Sequence, residues 1–181
     1  MSGGTVKKLL RTVMLMVVCF SFLFAHASAE QSISVGYGFG LLNQDGKSKQ
    51  LEGGKTYDFI QALYSYERPV TQRFSVLVEP FVAFVNRPTD GLDAGIYASG
   101  RYYIINSSPA RLYFSLGGGM AYTSVAFKEQ GPHLLFALQG SIGVVYKGFF
   151  LENRFRHYSN GDTSSPNRSV HANIVSVGMY F

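Results

Sequence analysis

The sequence is poor in the residues that would build a disulfide framework or a helical membrane span. Its single cysteine, Cys19, lies in an apolar run near the N-terminus, and tryptophan is absent. From residue 30 onward no apolar run reaches the ~20 residues that a membrane-spanning helix needs. If the N-terminal run is removed, the remaining chain has no disulfide and no thiolate nucleophile. That remaining part is rich in glycine, tyrosine and phenylalanine, a composition typical of β-structure.

The first 29 residues have the three parts of a secretory signal peptide. Its positive n-region is formed by Lys7, Lys8 and Arg11. An apolar run over 12–25 follows, and small residues precede Glu30, where we place the cleavage site. A retained transmembrane anchor is the alternative, but the run is shorter than ~20 residues and ends at a cleavage site. We therefore expect a signal peptide at 1–29 and one mature domain at 30–181.

The charge of the mature chain is nearly balanced. The whole sequence has 16 basic and 11 acidic residues, and three of the basic residues lie in the expected signal peptide. The mature part then keeps 13 basic and 11 acidic residues, a net charge of +2. No lysine-rich stripe of the kind that binds nucleic acid is present, so we expect no nucleic-acid partner.

Apolar residues recur at every second position in several segments, which is the pattern of β-strands. In the first segment they alternate with small or polar residues; the apolar ones are Ile33, Val35, Tyr37, Phe39 and Leu41. Similar alternation occurs over 73–84, 111–122 and 133–144, and weaker alternation over 56–67 and 94–105. With the first segment and the segments 149–159 and 170–181, the chain has about eight strands. This number predicts an all-β fold, an eight-stranded antiparallel transmembrane β-barrel whose apolar faces meet lipid. A soluble lipocalin-like barrel, with the apolar faces inside, is the alternative.

The connections between these segments alternate in length. The turns at 68–72, 106–110 and 147–148 are short, and the connections at 43–55, 87–93, 124–132 and 160–169 are longer and polar. Outer-membrane barrels have short periplasmic turns and longer extracellular loops, so both termini are expected on the periplasmic side. The alternating C-terminal segment ends in Phe181 and resembles the signal that the barrel-insertion machinery reads in bacterial outer-membrane proteins. We therefore expect a multi-pass protein of the Gram-negative outer membrane.

The seventh segment predicts where chemistry takes place. Three charged residues share one face, and we expect them to point into the barrel: Glu152, Arg154 and Arg156. The opposite face then directs His157 and Ser159 toward lipid, about 20 Å from the periplasmic turn and near the outer edge of a ~25 Å apolar band. An imidazole and a hydroxyl at this depth suit a lipid substrate.

His-x-Ser is a weak motif by itself, because both residues also occur at ordinary membrane rims. As a pair, His157 and Ser159 can form a general base and a nucleophile for acyl transfer. A metal site formed by His133, His157 and His171 is disfavoured because His133 lies on a distant strand. The residues alone leave the rim and the catalytic interpretations open.

The stretch Arg154-Phe155-Arg156-His157-Tyr158-Ser159-Asn160, followed by Pro166-Asn167, resembles the signature of the lipid A 3-O-deacylase family. Members of that family are eight-stranded outer-membrane barrels that remove an ester-linked acyl chain from lipid A. The resemblance implies that Ser159 is the nucleophile, His157 the general base, and Asn160 with neighbouring backbone amides the oxyanion stabiliser. It implies no cofactor and no metal.

Two departures from the family pattern concern the same region. Gly161-Asp162 follows Asn160 where family members usually carry Ala-Gly, so the oxyanion loop is expected to differ. The third triad member, often Glu, is expected fourteen residues after the His, and His171 occupies that position. A neutral imidazole can orient His157 but cannot stabilise its charged form as a carboxylate would. The sequence leaves open whether His171 or Asp162 has this role.

Two functions therefore follow from the sequence. The first is an outer-membrane serine esterase that removes the 3-position acyl chain of lipid A, with lipopolysaccharide of the outer leaflet as its partner. The second is a non-enzymatic small barrel with a structural or loop-binding role. Acyl-chain selectivity, regulation, and the choice between a monomer and a homodimer stay open.

Overall fold

The computed structural model describes residues 29–41, 57–127, 130–165 and 167–181, which form eight β-strands. The predicted signal peptide up to residue 28, the predicted loop 43–55 and Pro166 lie outside the described residues. No described segment is a helix of the length and hydropathy needed to cross a membrane. The strands are β1 (Glu30–Gly40), β2 (Asp58–Pro69), β3 (Phe74–Arg87), β4 (Gly91–Ser107), β5 (Ala110–Thr123), β6 (Leu134–Tyr146), β7 (Phe149–Ser159) and β8 (Val170–Tyr180).

The sheet is closed. Each strand pairs antiparallel with its neighbours in the sequence, and β1 also pairs with β8. Val35 of β1, for example, lies between Ala62 of β2 and Val177 of β8. Closure gives every strand two partners, which is what a sheet needs in lipid because lipid offers no hydrogen bonds to a free edge. The predicted eight-stranded antiparallel barrel is confirmed.

The direction of the apolar faces decides between the two barrel interpretations. Ile33 and Val35 are 48% and 53% exposed on the outer surface, whereas Ser32 and Ser34 are 3% and 5% exposed. The same alternation of exposed and buried positions continues in the other strands. The apolar side chains thus form the outside of the barrel, as a lipid-facing surface requires and as a soluble lipocalin-like barrel does not allow.

The interior contains paired charges. The carboxylate of Glu79, on β3, accepts hydrogen bonds from Arg154 Nη2 at 2.8 Å and from Ser99 Oγ at 2.6 Å. Arg154 Nε also donates to Glu152 at 2.8 Å, and both side chains lie inside the barrel, as predicted for these residues of β7. Buried ions need such partners because desolvation of an unpaired charge is costly. These contacts join β3 and β7 across the barrel.

Arg156 is an interior charge whose hydrogen bonds go to neutral groups. It is fully buried, but it donates to Gln61 and to the Tyr158 hydroxyl rather than to a carboxylate. Its guanidinium carbon lies 4.7 Å and 5.0 Å from the ring centroids of Phe81 and Tyr97. Aromatic faces stabilise a desolvated guanidinium, so this interior position is compatible with the predicted inward direction of Arg156.

One predicted loop is shorter than the sequence indicated. The segment 87–93 was expected to be a long polar connection, but β3 ends at Arg87 and β4 begins at Gly91. Arg87 continues β3 because Arg87 and Asn86 donate hydrogen bonds to Asp58 at the start of β2, and residues 91–93 belong to β4 because they pair with residues 83–85 of β3. By contrast, the predicted connection at 160–169 lies directly between β7 and β8.

Candidate active site

The proposed catalytic side chains lie on the outer face of the last hairpin. His157 of β7 is paired in register with His171 of β8, and Ser159 is the last residue of β7. Both histidines and Ser159 are partly exposed, while their neighbours Tyr158, Val170 and Ala172 are buried inside. The alternation of the two strands therefore directs all three polar groups outward, as the sequence predicted for His157 and Ser159.

The two imidazoles are hydrogen-bonded to each other. His157 Nδ1 lies 2.9 Å from His171 Nε2, and the ring centroids are 5.0 Å apart. The ring of Phe155 packs beside His171 with a centroid distance of 5.5 Å. Because Nδ1 of His157 is engaged with His171, its Nε2 is the nitrogen left for another partner. In a Ser-His-acid triad the same nitrogen faces the serine.

Ser159 retains unused hydrogen-bonding capacity. Its backbone pairs with Phe136 of β6, but in the described part of the chain its hydroxyl makes no hydrogen bond, including none to His157. Catalytic hydrogen bonds are often long in the absence of substrate, so a free hydroxyl is compatible with a nucleophile two residues from its base.

Asn160 organises the loop that follows Ser159. Its side chain is fully buried, and Nδ2 donates to the backbone carbonyls of Gln130 at 2.7 Å and Ser164 at 2.9 Å. Its backbone N–H donates to Asn167 Oδ1 at 3.0 Å. Both amide hydrogens of the side chain are therefore engaged by carbonyls. The predicted oxyanion role of Asn160 stays a prediction. Because its side-chain donors are already engaged, this geometry favours backbone amides as donors to the oxyanion.

Gly161 and Asp162 both adopt left-handed backbone conformations, with φ of 62° and 61°. A Cβ on residue 161 would lie 2.8 Å from the ring of Phe136, so glycine suits this position both sterically and conformationally. Asp162 is held by the side chains of two asparagines: its N–H donates to Asn160 Oδ1 at 2.9 Å, and its Oδ1 accepts from Asn167 Nδ2 at 2.8 Å. The departure from Ala-Gly is thus accommodated within the loop.

The choice between His171 and Asp162 as the partner of His157 has a geometric answer. His171 is in hydrogen-bond contact with His157, whereas the Asp162 carboxylate has Asn167 as its partner. Over the described ranges, no group of three His, Cys, Asp or Glu side chains has the arrangement of a metal site. His133 lies apart from the pair, where its Nδ1 is 2.7 Å from the Thr123 carbonyl.

A family model described as "Lipid A 3-O-deacylase (PagL)" matches residues 60–180, which run from β2 to the end of β8. The chain belongs to the lipid A 3-O-deacylase family. The predicted membership is confirmed, and with it an outer-membrane location and the class of lipid A deacylase, an ester hydrolase. No curated protein matches the sequence.

Two solved structures resemble the barrel. The outer membrane enzyme PagL is 12% identical, with a TM-score of 0.60 over 81% of this chain and 98% of that chain. Neisserial surface protein A (NspA) is 17% identical, with a TM-score of 0.58 over 86% of this chain and 98% of that chain. At these identities the likeness concerns the fold alone, an outer-membrane β-barrel.

Gln130 contacts the candidate active site of this deacylase-family barrel, although no pattern in the sequence predicted a role for it. It is fully buried in the connection between β5 and β6, and its Nε2 donates to the carbonyls of Tyr158, at 3.4 Å, and Arg168. Its backbone carbonyl accepts a hydrogen bond from Asn160 Nδ2. Gln130 therefore joins the residues on both sides of Ser159 to the segment that precedes β8. No local pattern in the sequence marks it, because its partners are 28 to 38 residues away.

Proposed function

We propose that this barrel is a serine esterase that removes the acyl chain at the 3-position of lipid A in the outer leaflet. The observation that carries the proposal is the hydrogen bond between His157 Nδ1 and His171 Nε2 on the lipid-facing surface. It leaves Nε2 of His157 available to Ser159, two residues further along the same face of β7.

The proposed reaction begins with attack of Ser159 Oγ on the ester carbonyl of the substrate. His157 Nε2 takes the hydroxyl proton and later gives it to the leaving sugar oxygen, so that the first step yields an acyl-enzyme and a free sugar hydroxyl. Water, deprotonated by the same nitrogen, then releases the fatty acid and restores the serine. No cofactor is required for these proton transfers.

His171 would act as a positioning residue in this mechanism. If His157 carries its proton on Nδ1, that proton is donated to His171 Nε2, and Nε2 of His157 is the basic nitrogen that the reaction needs. A neutral imidazole fixes this tautomer, but it stabilises the charged intermediate less than a carboxylate does. We therefore expect an active esterase whose third triad residue stabilises the charged His157 less than a carboxylate would.

Stabilisation of the negative oxygen is assigned to the loop after Ser159. The Gly161 N–H follows the nucleophile closely and has no hydrogen-bond partner in the part of the loop that the structure describes. A backbone amide of this kind can donate to the oxyanion that forms in the reaction. The hydrogen bonds of Asn160 would hold the loop in the required shape, so its contribution is through the backbone around it.

The location of the patch supports a lipid substrate. Ser159 ends β7 at about 20 Å above the periplasmic turn, near the outer border of the ~25 Å apolar band. Exposed apolar side chains surround it on β6, including Phe136 and Leu138, which are 46% and 63% exposed. An ester of a membrane lipid would reach Ser159 sideways, with its acyl chains still in the bilayer.

Mass spectrometry of lipid A tests the proposal. A Gram-negative host without its own lipid A deacylase would express the wild-type chain, Ser159→Ala, or Ser107→Ala, which makes the same change near the periplasmic turn. We expect loss of one acyl chain from the 3-position with the wild type and with Ser107→Ala, and an unchanged spectrum with Ser159→Ala. Unchanged lipid A in cells whose membranes contain correctly inserted wild-type barrel would refute the esterase.

A further inference from the structure

We infer that His157 and His171 form a binding site for a borderline or soft divalent metal ion, such as Cu²⁺ or Zn²⁺, and that the bound ion inhibits the esterase. The binding site rests on the geometry of the two imidazoles alone. The inhibitory consequence rests on the proposed function, because it requires His157 to be the general base.

The distance between the two nitrogens fits a shared metal ion. His157 Nδ1 and His171 Nε2 are 2.9 Å apart. Nitrogen ligands lie about 2.0–2.1 Å from Zn²⁺, so two of them on one ion are separated by roughly 2.9–3.3 Å for bond angles between 90° and 109°. The nitrogen separation therefore needs little change, but each ring must turn so that its lone pair points at the ion instead of at the other nitrogen.

The pair is accessible from the outer surface of the barrel. The two histidines are opposite each other on adjacent strands, which restricts both rings to the same side of the sheet. Both are partly exposed, near the extracellular end of the barrel. The described residues add no third His, Cys, Asp or Glu, so water would complete the coordination. Such a site is open and its occupancy is reversible.

Two imidazole ligands also determine which ions bind. Imidazole suits Cu²⁺, Zn²⁺ and Ni²⁺, and affinity for such sites falls from Cu²⁺ to Zn²⁺ or Ni²⁺ and further to Mn²⁺. Mg²⁺ and Ca²⁺ prefer oxygen ligands, which are bound water, carboxylates and carbonyls. The site is therefore selective against the divalent ions that accompany lipopolysaccharide phosphates.

Metal binding would place the imidazole proton on the wrong nitrogen. The ion takes the lone pair of Nδ1, and the proton that Nδ1 carried moves through solvent to Nε2. No proton is lost and the ring stays neutral, but Nε2 can no longer accept the proton of Ser159. A chelator that removes the ion restores the original tautomer and the activity.

Binding is measured on purified, tag-free Ser159→Ala barrel in detergent, so that catalysis plays no part. Cu²⁺ is titrated and followed by electron paramagnetic resonance, and Zn²⁺ by competition with a coloured chelator. Adding His171→Ala to this barrel should weaken binding by at least about tenfold, since even indirect partners of metal ligands contribute 10–100-fold. Adding His133→Ala, the matched control, should leave binding unchanged. Equal affinity with and without the His171 imidazole would overturn the site, and His157→Ala repeats the test if His171→Ala does not fold.

Inhibition is measured on the active barrel with a lipid A ester. Zn²⁺ should lower the rate and the chelator should restore it, whereas Mg²⁺ at the same concentration should have no effect. Activity that is insensitive to Zn²⁺ at concentrations that fill the site would overturn the inhibition. If metal binds the His pair but no form of the barrel hydrolyses lipid A, the site stands and the proposed function fails.

Discussion

The two faces of β7 use polar residues in opposite ways. On the inner face, Glu152 and Arg154 are 3% and 2% exposed and are hydrogen-bonded to each other and to other strands. On the outer face, the Ser159 hydroxyl has no hydrogen-bond partner among the described residues, and His157 is engaged through one ring nitrogen. The inner groups are hydrogen-bonded in the folded state, whereas the outer groups can still form hydrogen bonds to a substrate.

This difference separates stability from chemistry along a single strand. Buried charges stabilise a fold only when they are paired, so the interior network determines whether the barrel is stable. The outer polar groups lie among exposed apolar residues and contribute little to packing. Substitutions on the two faces should therefore affect different measurements.

The largest effect is expected from removal of the base on the outer face. His157→Ala should lower the rate of lipid A deacylation by about 10³-fold or more, because triad members contribute at least this much. Its unfolding in urea should resemble that of the wild type. His133→Ala, at an exposed histidine away from the pair, should retain activity. A His157→Ala barrel with normal activity would remove His157 from the mechanism.

On the inner face, Arg154→Met should reduce stability rather than chemistry. It leaves Glu79 and Glu152 buried without their shared cation, and breaking such a buried pair costs about 3–5 kcal/mol. The free energy of unfolding is measured in urea with the barrel in lipid vesicles, and activity is expressed per folded barrel. Glu30→Gln breaks an exposed ion pair with Arg111 and should cost less than about 1 kcal/mol. Equal losses for the two variants would contradict a structural role for the interior network.

Gln130→Ala tests the connection between the loops. It removes a buried donor to the carbonyls of Tyr158 and Arg168, and a small displacement of Ser159 should lower kcat about 10-fold to 100-fold with little change in KM. Gln72→Ala, at a periplasmic turn, is the control and should retain both constants. If Gln130→Ala only lowers the yield of folded barrel while kcat per folded molecule is normal, Gln130 has no positioning role.

The smallest effect is expected at the third position of the proposed triad. His171→Glu places a carboxylate opposite His157, where it can accept the Nδ1 proton and also stabilise the charged imidazole. Activity on lipid A should hold or rise, by no more than about tenfold. Loss of activity in a correctly inserted His171→Glu barrel would show that residue 171 is not the partner of the base.

Much of the fold could be predicted because the side-chain period of a β-strand is a local property. Alternation over β1 and β7 gave the outward direction of Ile33 and His157 and the inward direction of Arg154. The resemblance to the family implied that the third triad member follows His157 by fourteen residues, and His171 at that position is hydrogen-bonded to His157. The predicted length of the connection after Arg87 was wrong. Arg87 pairs with Asp58 of β2 and residues 91–93 pair with residues 83–85 of β3, although their polarity indicated a loop.

The sequence by itself determined the strand count, the face on which residues of the clearly alternating strands lie and the family to which the chain belongs. Only the tertiary structure decided which residues meet across the barrel and between loops. Glu79 and Arg154 are 75 residues apart and meet because the sheet closes, and Gln130 reaches Arg168 because two loops converge at one end. The physical reason is the distance along the chain over which each feature is determined. Strand alternation is local and repeats every two residues, whereas these contacts depend on the curvature of the whole closed sheet.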